Sequence, residues 1–219
     1  MTTILFATTN KHKEKIFRRS WDNAGLDNTF KYCTLDEVEI DIDIDEDTGT
    51  FKGDALKKAV AYGNATGMIT ISQDRGFVFD ALNWPGTLTK EVTIGNNHIT
   101  IGEDGFPVTK SSDDKVDHMQ KAREVLSAIG DNDRSMTVIN ATALYIPGTA
   151  QIVEEIHTPG IAAEEPVEGL EGSFSRYFIA RGHDRPLASQ FNTIDELIDY
   201  WARVICVLPH QIVDALNSM

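Results

Sequence analysis

Short apolar runs and stretches of helical periodicity follow one another along the chain. Residues 3 to 8 are mainly apolar and predict a strand, and residues 11 to 24 carry apolar side chains at helical spacing up to Gly25. Between them, Thr8-Thr9-Asn10 offers three possible N-caps. A second strand is predicted over 29 to 35. The chain therefore opens with a strand, a loop, a helix and a further strand.

The next stretch combines strict alternation with a second helical pattern. Residues 38 to 44 alternate valine or isoleucine with glutamate or aspartate, which predicts a strand with one apolar and one acidic face. A helix is predicted over 54 to 65, ended by Gly67. A strand over 68 to 72 follows, with a turn at Asp74-Arg75-Gly76. Strands and helices thus continue to interleave.

The rest of the chain shows the same interleaving without internal repeats. Its predicted elements are a strand at 77–82, a loop at 84–86, a hairpin turning at Asn96-Asn97, a helix from Ser112 to Gly130, strands near 135–147, 150–157 and 174–180, a helix with a capping box of Thr193 and Glu196, and a short helix opened by Pro209. This order predicts a mixed α/β fold.

Composition places the chain among ordinary globular proteins. It has 219 residues, 41% of them hydrophobic, which suits a single domain over 1–219. A formal net charge of -14 argues against binding a nucleic-acid backbone but leaves a small anion possible. No segment approaches the roughly 18 apolar residues of a membrane span. Cys33 and Cys206 suggest neither a disulfide framework nor a zinc site. Together with the lack of a signal-peptide pattern, this predicts a cytoplasmic protein.

The loop Thr8-Thr9-Asn10-Lys11-His12-Lys13 is the first candidate binding site. It joins a buried strand to a helix N-terminus, where free backbone N–H groups and the helix dipole favour an anion. Thr8, Thr9 and Asn10 add donors, and Lys13 adds positive charge. The loop could cradle phosphates, and ordinary N-capping beside solvated lysines is the alternative for this loop taken alone.

Two acidic features are candidate metal or catalytic groups. The cluster Asp41, Asp43, Asp45, Glu46 and Asp47 has the oxygen ligands that Mg²⁺ prefers, although a charged edge strand is the simpler explanation for most of these residues. Asp74 is predicted to end an apolar strand, where a carboxylate can bind a metal or orient water toward phosphorus. The alternative for Asp74 is an aspartate that caps a turn.

Several stretches together resemble the successive motifs of the inosine triphosphate pyrophosphatase (Ham1-like) family. The order and the spacing of these motifs both fit, over about residues 3 to 86. The stretches are ILFATTNKHK at 4–13, DTGTF at 47–51, DALKKA at 54–59, DRGFVFDAL at 74–82 and Pro85-Gly86.

The resemblance implies an elongated α/β fold with two lobes around a nucleotide cleft, and a homodimer. It also implies Mg²⁺-dependent hydrolysis of a non-standard purine nucleoside triphosphate, such as ITP, dITP or XTP, to the monophosphate and pyrophosphate. By the same resemblance, Thr8, Asn10 and Lys13 bind the triphosphate, Lys58 contacts phosphate, and Asp74 is the catalytic carboxylate. Lys13 would assist catalysis by stabilising the pyrophosphate that leaves.

The chain departs from the family pattern around these motifs. Gln73 and Arg75 flank Asp74, where the family usually has an acid and a small residue, and Arg75 is a further candidate for substrate binding. The family's metal-binding glutamate has no fixed match, so Asp43 and Asp45 are both candidate metal ligands beside Asp74. Gly53-Asp54-Ala55 replaces the family's Glu-Asn-Ala.

The family's base-binding motif is replaced by Gly172-Ser173-Phe174-Ser175-Arg176-Tyr177. Phe174 or Tyr177 could stack on a base, with Ser175 and Arg176 as polar contacts, or these side chains could belong to the core. Two alternatives to the implied activity therefore stay open. One is a nucleotide-binding sensor or scaffold that has lost hydrolysis, and the other is a pyrophosphatase with altered base specificity.

Overall fold

The structure of the protein is a computed structural model that describes residues 1–40, 42–93, 95–114, 116–170 and 174–219. The chain divides into two compact units. The first comprises Met1–Arg75, Asn140–Ile156 and Ile198–Met219, and the second comprises Gly76–Ile139 and His157–Leu197.

Helices and strands interleave along the chain, so the predicted mixed α/β fold is confirmed. The strands are β1 (Thr2–Phe6), β2 (Phe30–Thr34), β3 (Thr70–Phe79), β4 (Trp84–Gly86), β5 (Asn97–Ile101), β6 (Pro107–Ser111), β7 (Ser135–Ile146), β8 (Ala150–Ala162) and β9 (Phe178–Ala180). The α-helices are α1 (Lys11–Asn23), α2 (Phe51–Thr66), α3 (Thr89–Thr93), α4 (His118–Ile129), α5 (Ile194–Tyr200) and α6 (His210–Asn217). Short 3-10 turns lie at Leu26–Asn28, Asp36–Val38, Phe174–Arg176 and Leu187–Ser189, and Trp201–Ile205 is a π-helical turn.

The first unit is built around β1. Strand β1 pairs in parallel with β2 and with β3, where Phe6 lies opposite Ile71. On one face of this sheet, the rings of Phe6 and Phe17 stack with centroids 3.6 Å apart. Side chains of α1 and α6, including Trp21 and Ile212, complete that buried cluster. The apolar spacing of α1 thus matches the face that packs on the sheet.

The acidic segment after β2 is not the strand that its alternation predicts. Glu39 has a φ of 50°, in the left-handed region, so an extended conformation cannot run through it. The segment still buries one side, because Ile42 and Ile44 pack against a cluster that includes Tyr62. Tyr62 also donates its hydroxyl to the Ile42 carbonyl at 3.1 Å. A charged edge strand is therefore ruled out for the described part of this segment.

The predicted turn at residues 74–76 is also wrong. Strand β3 continues from Thr70 to Phe79, and Gly76 has no positive φ. The strand exchanges one neighbour for another along its length, since β1 pairs with it up to Ile71 and β4 pairs with it from Phe77. Asp74 consequently lies in the middle of a strand and past the end of β1.

The second unit holds the remaining corrections. The predicted hairpin exists as β5 and β6, but its turn lies at 102–106, where Gly105 has a φ of 80° and Gly102 N–H donates to the Phe106 carbonyl at 2.8 Å. Helix α4 begins at His118 because the Asp117 side chain accepts from Gln120 N–H at 2.7 Å. The predicted strand at 174–180 is confirmed only as β9, which pairs with β8.

Several helix ends agree with the sequence. Gly67 ends α2 with a φ of 69°, as a left-handed C-cap should. The capping box is present, because the Thr193 hydroxyl accepts from Glu196 N–H at 3.2 Å. Pro209 precedes α6 as predicted. No helix in the described part of the chain is long and apolar enough to cross a membrane.

Candidate functional site

The loop after β1 forms a capped helix start. The Asn10 side-chain oxygen accepts from the N–H groups of His12 at 2.9 Å and of Lys13 at 3.1 Å. Asn10 N–H in turn donates to the Thr8 hydroxyl at 3.2 Å. N-capping is thus a real role of Asn10, and the amide nitrogen of its side chain stays available as a donor. Thr8 is half-buried, and Thr9 and Asn10 are exposed, so the loop presents donors at the surface.

Helix α2 begins in a second ordered loop. The Thr50 hydroxyl accepts from Gly53 N–H at 3.1 Å. Asp54 is 1% exposed, and its carboxylate accepts from both the N–H and the hydroxyl of Thr48, at 3.0 and 2.9 Å. A side chain at residue 53 would collide with Thr48, since an added Cβ would lie 2.2 Å from its hydroxyl oxygen. Gly53 and Asp54, which stand where the family usually has Glu-Asn, therefore stabilise the loop that precedes α2.

Asp74 lies between two lysines from these two helices. Its Oδ1 is 3.5 Å from Lys13 Nζ on α1 and 3.2 Å from Lys58 Nζ on α2. Asp74 faces α2 because Ser72, two residues earlier on the same face of β3, donates its hydroxyl to the Ala55 carbonyl of α2. Since β1 has already ended, the first turn of α1 can bring Lys13 to the same carboxylate. The structure thus brings together Lys13, Lys58 and Asp74, as the sequence predicts.

A second carboxylate, Glu46, joins this group. Glu46 Oε2 is 2.9 Å from Lys58 Nζ, so Lys58 bridges Glu46 and Asp74. Asp43 and Asp45 are exposed, and neither makes an ion pair with the lysines among the described residues. Asp41 lies outside the described residues. Among the described residues of the acidic cluster, Glu46 is therefore the one that contacts Lys58, the partner of Asp74.

The electrostatics of the site centre on Lys13. The pKa of Lys13 is lowered to about 8; burial is the largest cause, and the positive charges of Lys58 and Arg75 act in the same direction. Asp74 and Glu46 act in the opposite direction. Formally, the group has three positive charges and two negative charges, in a chain whose formal net charge is -14. Its members are Lys13, Lys58, Arg75, Asp74 and Glu46. An added anion would therefore meet a locally positive site.

Gln73 and Arg75 lie on the other face of β3 from Asp74. Gln73 is 4% exposed and donates its amide to the Thr142 hydroxyl at 3.2 Å, so it is held in the core. Arg75 is half-buried; its guanidinium donates to Cys206 Sγ at 2.8 Å and lies over the Trp201 ring. The two substitutions beside Asp74 therefore have different consequences: one side chain is sequestered and the other is a cation at the site's edge.

The four candidates for base contact belong to the second unit. Tyr177 is fully buried, and its ring packs against Phe77 and Phe79, so it is a core side chain and offers no face to a base. Ser175 is 2% exposed. Arg176 donates to Met119 Sδ at 3.3 Å and to the Val167 carbonyl at 3.4 Å. Phe174 is half-buried and keeps part of its surface open. Gly172 and Ser173 lie outside the described residues.

The chain is similar to known proteins over most of its length. A family model described as the Ham1 family matches residues 4–198. The chain belongs to the Ham1 family. It is 28% identical over 185 residues to a dITP/XTP pyrophosphatase of Nocardia farcinica, which covers 84% of this chain and 82% of the relative. It is 26% identical over 220 residues to a dITP/XTP pyrophosphatase of Mycobacterium tuberculosis, covering 100% of this chain and 97% of the relative.

Solved structures share the fold of this Ham1 family member. A HAM1 protein from Coxiella burnetii superposes with a TM-score of 0.71 at 20% identity, covering 100% of both chains. A nucleoside-triphosphatase / dITP/XTP pyrophosphatase from Mycobacterium abscessus gives a TM-score of 0.69 at 22% identity, covering 96% of this chain and 100% of that one. The expectation of an α/β fold of this family is therefore confirmed.

The sequence leaves two parts of this site undetermined: which acid of the cluster at 41–47 joins it, and which side chains surround Arg75. Glu46 stands beside four aspartates that look equally suitable, and only its contact with Lys58 separates it from them. Trp201 and Cys206 lie far along the chain, and their position against Arg75 leaves no local sequence signal. The Trp201 side chain has the helical spacing of a core residue, which hides its second role.

Proposed function

We propose that this Ham1 family protein hydrolyses a non-standard purine nucleoside triphosphate, of the ITP, dITP or XTP type, to the nucleoside monophosphate and pyrophosphate. The observation that carries the proposal is the grouping of Lys13, Lys58, Asp74 and Glu46 next to the capped N-terminus of α1. The names of the relatives as dITP/XTP pyrophosphatases support the class of substrate. A role in removing such nucleotides from the cellular pool follows.

The residues of the loop and the two helices would bind the triphosphate. Thr8, Thr9 and Asn10 are the surface donors beside the N-terminus of α1, and anions bind at such ends because of free N–H groups and the helix dipole. Lys13 and Lys58 now neutralise Asp74. When phosphate oxygens enter, the two ammonium groups can turn to them and so release the Asp74 carboxylate for catalysis.

Asp74 would then act on water. The carboxylate orients a water molecule and accepts its proton while the water oxygen bonds to the α-phosphorus. The bond from the α-phosphorus to the oxygen that bridges to the β-phosphorus breaks, and pyrophosphate leaves. Lys13 and Lys58 stabilise the negative charge that develops on this leaving group. Each step uses a side chain already at the site.

The residues present fit a magnesium ion. Mg²⁺ is usually held by one or two carboxylates together with substrate phosphates and water. Asp74 and Glu46 share Lys58 as a partner and supply such a pair, while the described residues contain no group of three or more His, Cys, Asp or Glu that would hold a metal alone. Bound Mg²⁺ would neutralise phosphate charge and polarise the reacting phosphorus.

Replacing Glu46 tests which acid completes the metal site. We expect Glu46→Gln to raise the Mg²⁺ concentration for half-maximal activity by about 10-fold or more, because loss of one ligand or its support commonly costs 10–100-fold in metal affinity. Asp43→Asn and Asp45→Asn, the acids predicted from sequence, are expected to leave it within about 2-fold. A magnesium requirement that shifts in Asp43→Asn or Asp45→Asn but not in Glu46→Gln would instead support the sequence-based assignment.

A substrate panel tests the function itself. Release of pyrophosphate and of phosphate would be measured separately for ITP, dITP, XTP and the four common ribonucleoside triphosphates, with Mg²⁺ and with a chelator. The proposal expects Mg²⁺-dependent release of pyrophosphate, with ITP, dITP or XTP preferred. Pyrophosphate release with another base preferred would support the altered-specificity alternative. Nucleotide binding without any release would support the sensor alternative, which the names of the relatives do not favour.

Three further expectations accompany the proposal. A homodimer is expected from the family resemblance, and size-exclusion chromatography with light scattering tests it directly. Action in the cytoplasm is expected because the sequence shows no signal-peptide pattern and its two cysteines suggest no disulfide framework. Neither nucleic acid nor a membrane is expected as a partner of a chain with a net charge of -14.

A further inference from the structure

Within the part of the chain that the structure describes, Arg75 is a cation without a carboxylate partner. Among the described residues it forms no ion pair, although it is half-buried and directly follows Asp74 on β3. Arginines that leave bulk water are usually paired with an acid, because an uncompensated buried charge is costly. One of the five N–H donors of the guanidinium is used by Cys206 Sγ, and among the described residues none is paired with a carboxylate. Such a group is suited to an incoming anion.

Two side chains hold the guanidinium in place. Arg75 Nη1 donates to Cys206 Sγ at 2.8 Å, and Arg75 Cζ lies 4.6 Å from the centre of the Trp201 ring. Both partners are buried, since Trp201 is 3% exposed and Cys206 is fully buried. An arginine that stacks on an aromatic ring keeps its charge and its in-plane donors. The contacts therefore fix the position of the guanidinium without neutralising it.

The π-helical turn explains how residues 201 and 206 reach one guanidinium. Cys206 N–H donates to the Trp201 carbonyl at 2.6 Å, a bond across five residues in place of the four of an α-helix. This wider turn brings Trp201 and Cys206, the residue that follows the turn, beside each other. Such π-turns are uncommon and often mark functional sites. Here the turn's effect is to form a clamp of Trp201 and Cys206.

The same turn is tied to the helix that carries Lys13. The Ser20 hydroxyl, buried on α1, donates to the Cys206 carbonyl at 2.8 Å. Helix α1 thus connects Lys13 at its start with the π-turn near its end. Arg75 is also close enough to Lys13 for its charge to disfavour the Lys13 ammonium. Mutual repulsion between two cations that have been placed together is relieved when an anion binds.

We propose that Arg75 contacts the terminal phosphates of the triphosphate substrate and of the pyrophosphate product, and that the π-turn holds Arg75 there through Trp201 and Cys206. This inference rests on the proposed function and assigns to it one binding residue and two positioning residues. A guanidinium suits this role because its planar fork pairs with two phosphate oxygens at once. Arg75, the residue that would bind phosphate, stands where the family usually has a small residue.

The experiment measures binding of inorganic pyrophosphate by calorimetry, with KM and kcat for the best triphosphate. Arg75→Met is expected to raise the Kd for pyrophosphate about 10- to 100-fold, the usual loss for a charge-assisted hydrogen bond. Arg75→Lys should fall between Arg75→Met and the natural protein, because it keeps the charge and loses the fork. Trp201→Leu is expected to weaken binding about 3- to 10-fold, the scale of a cation–π contact, and Trp201→Phe to restore most of it.

A matched control and a rescue separate binding from structure. Arg18 also lies over an aromatic ring of the first unit, with its Cζ 5.6 Å from the centre of Tyr32, so Arg18→Met removes the same charge and the same type of contact elsewhere. It should leave pyrophosphate affinity unchanged. Addition of a few millimolar guanidinium to Arg75→Ala should restore affinity, which a purely structural defect would not allow.

The outcomes are distinct for this inference and for the proposed function. Pyrophosphate affinity that is equal in Arg75→Met and the natural protein, or that falls equally in Arg18→Met, would overturn the role of Arg75. Lack of pyrophosphate release from every triphosphate would overturn the proposed function, and an Arg75-dependent affinity for pyrophosphate would still stand. If Arg75→Met does not fold, Arg75→Lys and the guanidinium rescue decide the question.

Discussion

Asp74→Asn is expected to slow pyrophosphate release by about 10²- to 10⁴-fold, the range for loss of a general base. Asparagine has the same shape and can still accept from Lys13 and Lys58, the two lysines at 3.5 and 3.2 Å, but it cannot take a proton from water. The rate is measured with saturating ITP and Mg²⁺. Affinity for a triphosphate whose α,β-bridge is a methylene group should change by much less than the rate.

The control for this variant is Asp36→Asn. Asp36 also pairs with a lysine of α1, since its Oδ2 lies 2.5 Å from Lys11 Nζ, but its side chain is 67% exposed and lies outside the site. Its replacement removes an equivalent charge and should leave the rate unchanged. A natural rate in Asp74→Asn would show that another group activates the water, and the assignment of Asp74 as catalytic would be lost.

Lys13→Met is expected to lower pyrophosphate release by about 10²-fold or more while it makes the protein more stable. The activity falls because a cation that stabilises the leaving group is lost. Stability rises because burial lowers the pKa of Lys13 from 10.5 to about 8, so the folded state holds its charged form at a cost. By linkage this cost is on the order of 1–3 kcal/mol at pH 7, and urea unfolding at pH 7 measures it.

The sign of the pH effect follows from that shift. Between about pH 8 and pH 10.5 the unfolded chain binds more protons at Lys13 than the folded chain does, so the free energy of unfolding rises with pH across this window. The stability gained by Lys13→Met should therefore be full below pH 8 and should shrink toward pH 10. Lys11→Met is the control with the opposite sign, because hydrogen bonds to Asp36 and Glu14 raise the pKa of Lys11. A Lys13→Met protein less stable than the natural one at pH 7 would contradict the prediction.

Local sequence patterns predict several features of the fold correctly. The spacing of Ile16, Phe17 and Trp21 predicts α1, and the observed N-cap, Asn10, is one of the three candidates that Thr8-Thr9-Asn10 offers. The capping box at Thr193 and Glu196 is likewise local. Such signals depend on residues close to each other along the chain, so they can be recognised without knowledge of the tertiary structure.

The errors occur where partners far along the chain decide the outcome. A glycine at 76 permits a turn, yet β3 stays extended because a new neighbour, β4, pairs with it from Phe77. The alternation at 38–44 matches burial against Tyr62, but the described residues of this segment form no strand, because Glu39 takes up a left-handed conformation. Tertiary contacts thus override propensities whose own contribution is small.

By itself, the sequence determines the mixed α/β order of elements and the acidic character of the chain, and its resemblance to the family's motifs makes Lys13, Lys58 and Asp74 candidates for phosphate chemistry. The order of elements follows from periodicity and capping, which are local properties. Only the tertiary structure decides that both lysines meet on one carboxylate, that Glu46 is the acid that joins them, and that Trp201 and Cys206 clamp Arg75. Such contacts join residues more than ten positions apart, and their distances depend on how strands and helices pack.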